Sequence, residues 1–433
     1  MILSFTFSNV FSFKDKQVIS FEPEPLKELP EHLVRYKKYG QNPESFLRTL
    51  AIYGHNSHGK SNILKTFNVF TSLIEQSFKN PKALSEIEPF ALNTSTINKP
   101  SYFEIVIIED DVKYKYGFEA TSEKIIGEWF YHAPYATKES NLFTRVEQEF
   151  RISRLWSKES DLKIETQLIP FAVPNVLLFS VLAAQQNEKV LKVVKAINSI
   201  IVISESTNLG LLFKSASIFS NETYASKVQK FIDDADLGFK TIFDKIEKKI
   251  NESNKFDEKF LKEILYERSV QKFELFTYHK IYDEYYTEKN IAEFDFLKKE
   301  SEGSIKFFII TCILVYAIEN NLLLFIDELD SKFHSDLLTL IINKFHSPSI
   351  NGTESQLIFT SHNTVLLNKQ LRRDQILFVE KNDFGESSLK PMHTRKTPVR
   401  IDASIEKDYR KGKLGGVSKK IQKNNPNQAS LFD

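Results

Sequence analysis

Apolar and polar positions along the chain change their period several times. Near the start, Leu3, Phe5 and Phe7 alternate with other residues, the spacing of a strand with one buried face. Leu47 to Tyr53 reads as a buried strand that stops at Gly54. Residues 60–78 then carry Ile63, Leu64, Phe67, Phe70 and Ile74 on one side of a helix. Alternation returns at Phe103-Glu104-Ile105-Val106-Ile107 and around Tyr114-Lys115-Tyr116-Gly117-Phe118, which predicts strands of a sheet with one exposed face.

From 181 to 270 the pattern turns helical and charged. Val190, Leu191, Val194 and Ile197 keep helical spacing, as do Phe239, Ile242, Phe243, Ile246 and Ile250, and then Leu261, Ile264 and Leu265. The blocks are short and separated by polar stretches such as Asn251-Glu252-Ser253-Asn254, so a compact helical insertion is expected rather than a coiled-coil arm. Further on, 322–326 reads as a strand buried on both faces, 333–345 as a helix and Gln356 to Thr360 as another strand, the order of a parallel sheet. Between 410 and 423 stand Arg410, Lys411, Lys413, Lys419, Lys420 and Lys423 with no acid, which predicts a solvated tail. The expected organisation is an N-terminal half over 1–180, a helical insertion over 181–270, a C-terminal half over 271–400 and a basic tail over 401–433.

Composition narrows the class. Lys plus Arg is 58 against 57 for Asp plus Glu, a net charge of +1, which excludes a general nucleic-acid coat protein but not a local basic surface. Apolar residues at 41% and charged residues at 27% fit a globular chain. The single cysteine, Cys312, excludes an intramolecular disulfide and a thiolate metal cluster. The longest apolar run, Phe307 to Ile318, has twelve residues, too few to span a bilayer. The first residues lack the basic segment of an export signal. A cytoplasmic protein without a membrane association is expected.

The sharpest local chemistry is Gly54-His55-Asn56-Ser57-His58-Gly59-Lys60-Ser61. It matches G-x-x-x-x-G-K-[ST] and stands between a predicted strand and a predicted helix, as a phosphate-binding loop requires. The glycines let backbone N–H groups turn toward a polyphosphate, and the helix adds its positive dipole end. Lys60 is expected to reach the β- and γ-phosphates, and the Ser61 hydroxyl to ligate Mg²⁺. The second feature is the apolar strand Leu322-Leu323-Leu324-Phe325-Ile326 running into Asp327-Glu328. Asp327 is the candidate for the metal and Glu328 for the base that activates water. Asp327 follows Lys60 by 267 residues, a separation that calls for a large insertion. Ser301 and Gly303 form a Ser-x-Gly turn before an apolar helix, and Thr360-Ser361-His362-Asn363 carries a predicted strand into a histidine. The informative feature is their order: loop, Ser-x-Gly, acidic strand, Asp330, His362.

On these residues the chain resembles the ABC-type ATPase heads of SMC, RecF and OLD-like proteins. It looks most like the compact AAA-domain ATPases of bacterial abortive-infection and other anti-phage systems. The resemblance rests on Ile52 to Asn62, Glu300 to Gly303, Phe325 to Asp330 with His334, and Thr360 to Asn363, with smaller matches at Tyr278-His279-Lys280, Asp374-Gln375-Ile376, Phe378 to Lys381 and Tyr409 to Gly412. It implies an α/β P-loop fold, a mixed sheet flanked by helices with a helical insertion, and ATP with Mg²⁺ as ligands. It also implies that Asn62 joins the ATP-binding segment, that Ser301 and Gly303 form a signature acting in trans, that Asp330 belongs to the loop after the acidic strand, and that His362 is the switch histidine. Two copies are then expected to close over ATP, as a homodimer or an oligomer of dimers, with slow hydrolysis releasing them. His58 stands where the family has a small residue, and Ile305-Lys306 follows the signature where a basic or polar pair is common.

OLD-type relatives add a TOPRIM nuclease. Here 53 residues follow Glu380 without an Asp-x-Asp, so Glu380 is assigned to a last strand and effector chemistry to a companion protein. Asp233, Asp234 and Asp236 are read as a solvated helix face, and His132, His346 and His393 as single surface or packing residues. The expected role is a sensor or scaffold that answers a phage trigger and controls an effector, with the 181–270 lobe as its contact surface. The alternatives are an SMC/RecF-like DNA-repair head that contacts DNA, a module with an inactive nucleotide site, and a nuclease with an unrecognised centre.

Overall fold

The computed structural model describes residues 1–36, 44–134, 137–154, 156, 168–204, 209–239, 242–244, 275–332, 334–368, 370–394 and 405–410. The chain divides into two compact units, Met1–Val202 with Gln356–Asp433, and Ile203–Ser355.

The first unit is built around an antiparallel sheet with strand order Glu149–Ile152, Ser140–Val146, Ile125–Pro134, Val112–Ala120, Ser101–Glu109, Ile2–Ser8, Gln17–Ser20. The alternation read from sequence sets its faces: Phe103, Ile105 and Ile107 turn inward, as do Tyr114, Tyr116 and Phe118 on the neighbouring strand. The helix Lys60–Gln76 buries the predicted face of Ile63, Leu64, Phe67, Phe70 and Ile74. Phe67 meets Phe5 at a ring-centroid distance of 4.0 Å, and Phe70 stacks on Phe118 at 5.8 Å and Phe103 at 6.3 Å. Each fully buried aromatic of this kind contributes roughly 1.5–3 kcal/mol from area alone.

A second group of strands in this unit carries the loop. Thr49–Tyr53, buried at all five positions, lies between Gln356–Ser361 and Ile376–Lys381 and parallel to both. Ser387–Pro391 returns antiparallel to Ile376–Lys381. Glu380 sits in the strand Ile376–Lys381, as the sequence reading assigned it. The single strand expected over Leu47–Tyr53 is instead broken at Arg48. Glu44–Leu47 pairs with Leu33–Tyr36 in a separate ribbon, while the Arg48 N–H donates to His32 O at 3.0 Å and its carbonyl accepts from Leu357 N–H at 2.9 Å. The chain changes sheets there, and apolar character alone does not mark that point.

A buried ionic cluster ties this unit together. The Glu128 carboxylate accepts from the Leu178 and Phe179 N–H groups, both at 2.9 Å, and from the Tyr116 hydroxyl at 3.1 Å. Arg145 lies 3.6 Å from it and donates to Val176 O at 2.6 Å, Val173 O at 3.1 Å and Glu147 O at 2.6 Å. Burial pushes the Glu128 carboxyl up, and Arg145 with the two N–H groups pulls it back. The helix Leu178–Ala184 is thereby fastened to the sheet, with Phe179 stacked on Tyr116 at 3.8 Å.

The second unit is organised on the helix Glu302–Glu319, buried along almost its whole length. Leu209–Phe219, Glu222–Ala235 and Ser335–His346 pack around it, with Phe308 against Phe219 and Phe296, both at 5.3 Å. Asp233, Asp234 and Asp236 are exposed. Leu323–Ile326 is buried at every position. A three-stranded sheet joins Ile242–Asp244, Leu275–Tyr282 and Glu288–Asp295 in that order.

A further sequence expectation is corrected here. The apolar positions from Phe239 onward predict a helix, yet Ile242–Asp244 is a strand paired with Leu275–Thr277; three closely spaced apolar residues satisfy either period, and pairing with a distant segment decides. Ile246, Ile250, Leu261, Ile264 and Leu265 lie outside the described residues, as does the tail beyond Arg410. The two compact units divide the chain at 202/203 and 355/356. The helix Glu188–Asn198 packs on Ser101–Glu109 and belongs to the first unit, whereas the Ser-x-Gly turn and acidic strand belong with the helices of 209–235 in the second. Among the described residues, no helix is long and apolar enough to cross a membrane.

Candidate functional site

The candidate residues are gathered into two groups, one in each unit. In the first unit, the loop leaves the buried strand at Gly54 and enters the helix at Lys60. Ser57 takes a φ of 65° and Gly59 a φ of 111°, left-handed conformations that fold successive N–H groups into an anion-binding concavity. A side chain on Gly59 would come within 2.7 Å of Ser387 Oγ and 2.8 Å of Ser12 Oγ; one on Gly54 would come within 2.8 Å of Val379 O. Only glycine fits both places. Gly59→Ala is expected to weaken ATP binding by about 10-fold, because it adds strain of order 1–2 kcal/mol at a left-handed position. Titration calorimetry on the variant measures this.

Lys60 is buried, and its ammonium donates to Gly54 O at 2.8 Å and His55 O at 3.4 Å. The loop is braced from outside. Ser387 Oγ donates to His58 O at 2.6 Å, Asn62 Nδ2 donates to Ser12 Oγ at 2.9 Å, and the Ser387 N–H donates to Ser12 O at 2.7 Å. His58, half-buried, faces Val379 O at 3.4 Å. Burial holds its imidazole below the ordinary range, the carbonyl opposes this, and the neighbouring His55 and Lys60 charges push the same way as burial. Burial thus favours the neutral form of this large residue. His55, Asn56, Ser57 and Ser61 line the solvent side. A lysine ammonium, a serine hydroxyl, a nest of N–H groups and a helix N-terminus form a donor set that suits a polyphosphate.

Ser361 stands opposite Tyr53 in the parallel register. His362 and Gly54 therefore follow at the carboxyl ends of adjacent strands, the edge where open α/β sheets bind ligands. His362 is exposed there. Behind the loop strand, Tyr409 packs against Phe378 at 5.3 Å and Tyr53 at 6.2 Å, and burial pushes its hydroxyl up to about 12. Ser12, Ser387 and Tyr409 buttress the loop from positions that sequence spacing does not connect to it.

In the second unit, Lys306 ties the helix that begins after Ser301 to the turn that carries Glu328. Ser301 caps the helix Glu302–Glu319, its hydroxyl accepting from Ser304 N–H at 3.1 Å. Gly303 lies so close to Lys332 O that a Cβ would sit 2.8 Å away. Lys306 is fully buried and donates to Glu328 O at 2.9 Å, Ser331 O at 2.8 Å and Ser331 Oγ at 2.5 Å. The turn after the acidic strand is thus fastened to the helix that starts at the Ser-x-Gly turn. Asp327 is buried, with its N–H donating to Ile203 O at 2.8 Å. Glu328 projects to solvent from a left-handed backbone, φ 47°, a strained conformation of the kind that gathers at functional sites. His334 caps the helix Ser335–His346.

Lys306 reads in sequence only as a departure from pattern; its signal is a lysine one turn into an otherwise apolar helix. Burial pushes its ammonium down to about 8, opposed by the charges of Asp330 and Glu328 and assisted by Lys332. Below that pH it is charged and donates to its three oxygens; above it, the charge and one N–H are lost. Turnover is therefore expected to fall as pH rises through about 8. In Lys306→Met that alkaline limb disappears and the rate is lower by about 10- to 100-fold at pH 7, from loss of buried charge-assisted hydrogen bonds worth about 1.5–3 kcal/mol. A pH–rate profile of both proteins checks this.

Loop, parallel strands and acidic strand end define the chain as a P-loop ATPase-type domain of the α/β class. A family model described as "AAA domain, putative AbiEii toxin, Type IV TA system" matches residues 50–368, and the chain belongs to that family. No curated protein sequence matches it. Among solved structures it is similar to the SMC head bound to the C-winged helix domain of ScpA, at 13% identity and a TM-score of 0.46 over 90% of this chain and 97% of that one. It is also similar to the SMC head domain from Thermotoga maritima, at 14% and 0.41 over 90% and 98%. The recombination mediator protein RecF-ATPrS of the RecFOR pathway follows at 13% and 0.35 over 90% and 98%.

Proposed function

We propose that the protein is an ATP-binding and ATP-hydrolysing sensor or scaffold subunit of a bacterial anti-phage, abortive-infection system. The observation that carries the reading is the span of the family match. Residues 50–368 take in the phosphate loop, the Ser-x-Gly turn, the acid pair and His362, and the family description itself names an AbiEii toxin. In this reading Lys60 and the loop N–H groups hold the phosphates. The Ser61 hydroxyl and Asp327 carboxylate are hard oxygen donors of the kind Mg²⁺ takes, and the ion supplies neutralisation of phosphate charge when bound. Glu328 accepts the proton of the attacking water, and His362 orients the terminal phosphate.

Ser301 and Gly303 of one copy close over the nucleotide held by Lys60 of another, so that ATP favours the closed homodimer and hydrolysis releases it. A companion protein supplies the effector chemistry, and a phage protein supplies the trigger. The test is phage challenge of cells that depend on this system. Lys60→Ala and Glu328→Gln are each expected to abolish resistance; full resistance in either variant would overturn the proposal.

A further inference from the structure

A carboxylate stands directly before the Ser-x-Gly turn and is tied to a strand that the nucleotide reading leaves unused. Glu300 Oε1 accepts from the Thr277 hydroxyl at 2.6 Å and from His279 Nε2 at 2.7 Å. The Glu300 N–H donates to Phe296 O at 3.2 Å. The Glu300 side chain is 8% exposed, and Thr277 is fully buried. A carboxylate taken this far from water is costly unless donors meet it. Bonds from N–H and O–H groups to a charged acceptor are the strong and directional kind.

Thr277 and His279 are two residues apart on the strand Leu275–Tyr282 and share one of its faces. Ring contacts hold that face in place. His279 lies 4.6 Å from Phe294 on the paired strand and 6.1 Å from Phe239. Phe239 meets Phe296 at 6.1 Å, and Phe296 packs on Phe308 of the helix Glu302–Glu319. An apolar path and a polar path thus both run from this strand to the start of that helix.

The turn after Glu300 has little slack. Ser301 O accepts from Ile305 N–H at 3.0 Å while its hydroxyl holds Ser304 N–H. Gly303 is pressed against Lys332 O, with no room for a side chain. A displacement of Glu300 is therefore passed on to Ser301 instead of being absorbed.

We infer that Thr277 and His279 are positioning residues for the Ser-x-Gly turn, and that through Glu300 they set where Ser301 stands when it closes over nucleotide. The inference rests on the proposed ATP-driven closure and adds to it a second handle on the closing surface, the strand Leu275–Tyr282. Thr277, His279 and Glu300 all belong to the second unit, whereas the phosphate loop belongs to the first. Loss of the His279–Glu300 bond therefore separates two properties: ATP binding at the loop persists and pairing of two copies weakens.

The test uses the full chain as Glu328→Gln, with ATP and Mg²⁺. Sedimentation velocity measures pairing and titration calorimetry measures ATP affinity. Adding His279→Ala is expected to weaken ATP-dependent pairing by about 10-fold or more, the effect of losing a charge-assisted hydrogen bond, with ATP affinity unchanged. Glu300→Ala should do the same. Glutamine can bring an amide N–H close to the position of an imidazole Nε2, whereas the shorter asparagine reaches only as far as Nδ1. His279→Gln is therefore expected to recover most of the pairing, and His279→Asn to behave like His279→Ala.

Equal pairing by His279→Ala and its parent would overturn the inference. Loss of pairing in the glutamine and asparagine variants alike would overturn it too, as would a fall in ATP affinity that matches the fall in pairing. A Glu328→Gln parent that binds ATP yet never pairs would overturn the proposed closure and this inference with it. The parent alone thus tells the two failures apart.

Discussion

Glu328→Gln is expected to slow ATP hydrolysis by about 10²–10⁴-fold, the range a positioned general base contributes, while ATP still binds. Glutamine has nearly the shape of glutamate but cannot take a proton at neutral pH. Its main chain would stay in place, because the carbonyl of residue 328 is held by the Lys306 ammonium at 2.9 Å and by Ser331 N–H at 3.0 Å. The strained φ of 47° is thus fixed by groups outside the side chain, and the substitution isolates the carboxylate's chemistry. A malachite-green phosphate assay beside nucleotide retention on gel filtration separates the two effects. Equal turnover in variant and wild type would remove Glu328 from the reaction and move attention to His362. The comparison with Lys306→Met is informative. That variant disturbs the backbone that carries Glu328 and is expected to cost less turnover than loss of the base itself.

The largest expected effect on stability comes from Glu128→Ala. The substitution strands the Arg145 guanidinium in the interior, where its side chain has no solvent exposure, and removes the acceptor for the Leu178 and Phe179 N–H groups. Breaking one side of a buried ion pair costs about 3–5 kcal/mol, a large share of the 5–15 kcal/mol that holds a typical domain folded. Urea titration followed by circular dichroism is expected to show a first-unit transition shifted down by that amount. A shift below about 1 kcal/mol would mean that water reaches Arg145 and that the cluster is not a closed interior network. Replacing both partners by apolar residues of similar volume should cost less than Glu128→Ala alone, since no charge is then left behind.

Much of the first unit was legible because its segments have strict periods. Leu3, Phe5 and Phe7, the Phe103–Ile107 alternation and the Ile63–Ile74 helical face each allow one reading, and each is found. The loop was legible for a different reason: a Gly-Lys-Ser turn between strand and helix is a local chemical requirement. What escaped depends on distant chain. Arg48 breaks a strand because His32 O takes its N–H while its carbonyl accepts from Leu357 N–H. Ile242–Asp244 is a strand because Leu275–Thr277 lies beside it. Ser12 and Ser387 brace Gly59 from positions 47 residues before and 328 residues after it. Lys306 was visible only as an oddity, since a lysine on a buried helix face announces a cost without naming the carbonyls that meet it. The organisation of the units was hidden for the same reason. The helix Glu188–Asn198 has the same amphipathic pattern whichever surface it covers.

The proposed function requires the loop at Gly54–Ser61 to be a working ATP site. Equilibrium binding of ATP with Mg²⁺ to the purified full chain, wild type against Lys60→Ala, tests it most directly. Lys60 supplies the only ammonium within the loop itself, held in reserve by Gly54 O and His55 O, and a charge-assisted contact to phosphate is worth about 1.5–3 kcal/mol. Saturable binding by the wild type, weakened about 10- to 100-fold in Lys60→Ala, is the predicted result. A wild-type chain that binds no ATP, or a variant that binds it equally well, would contradict the account.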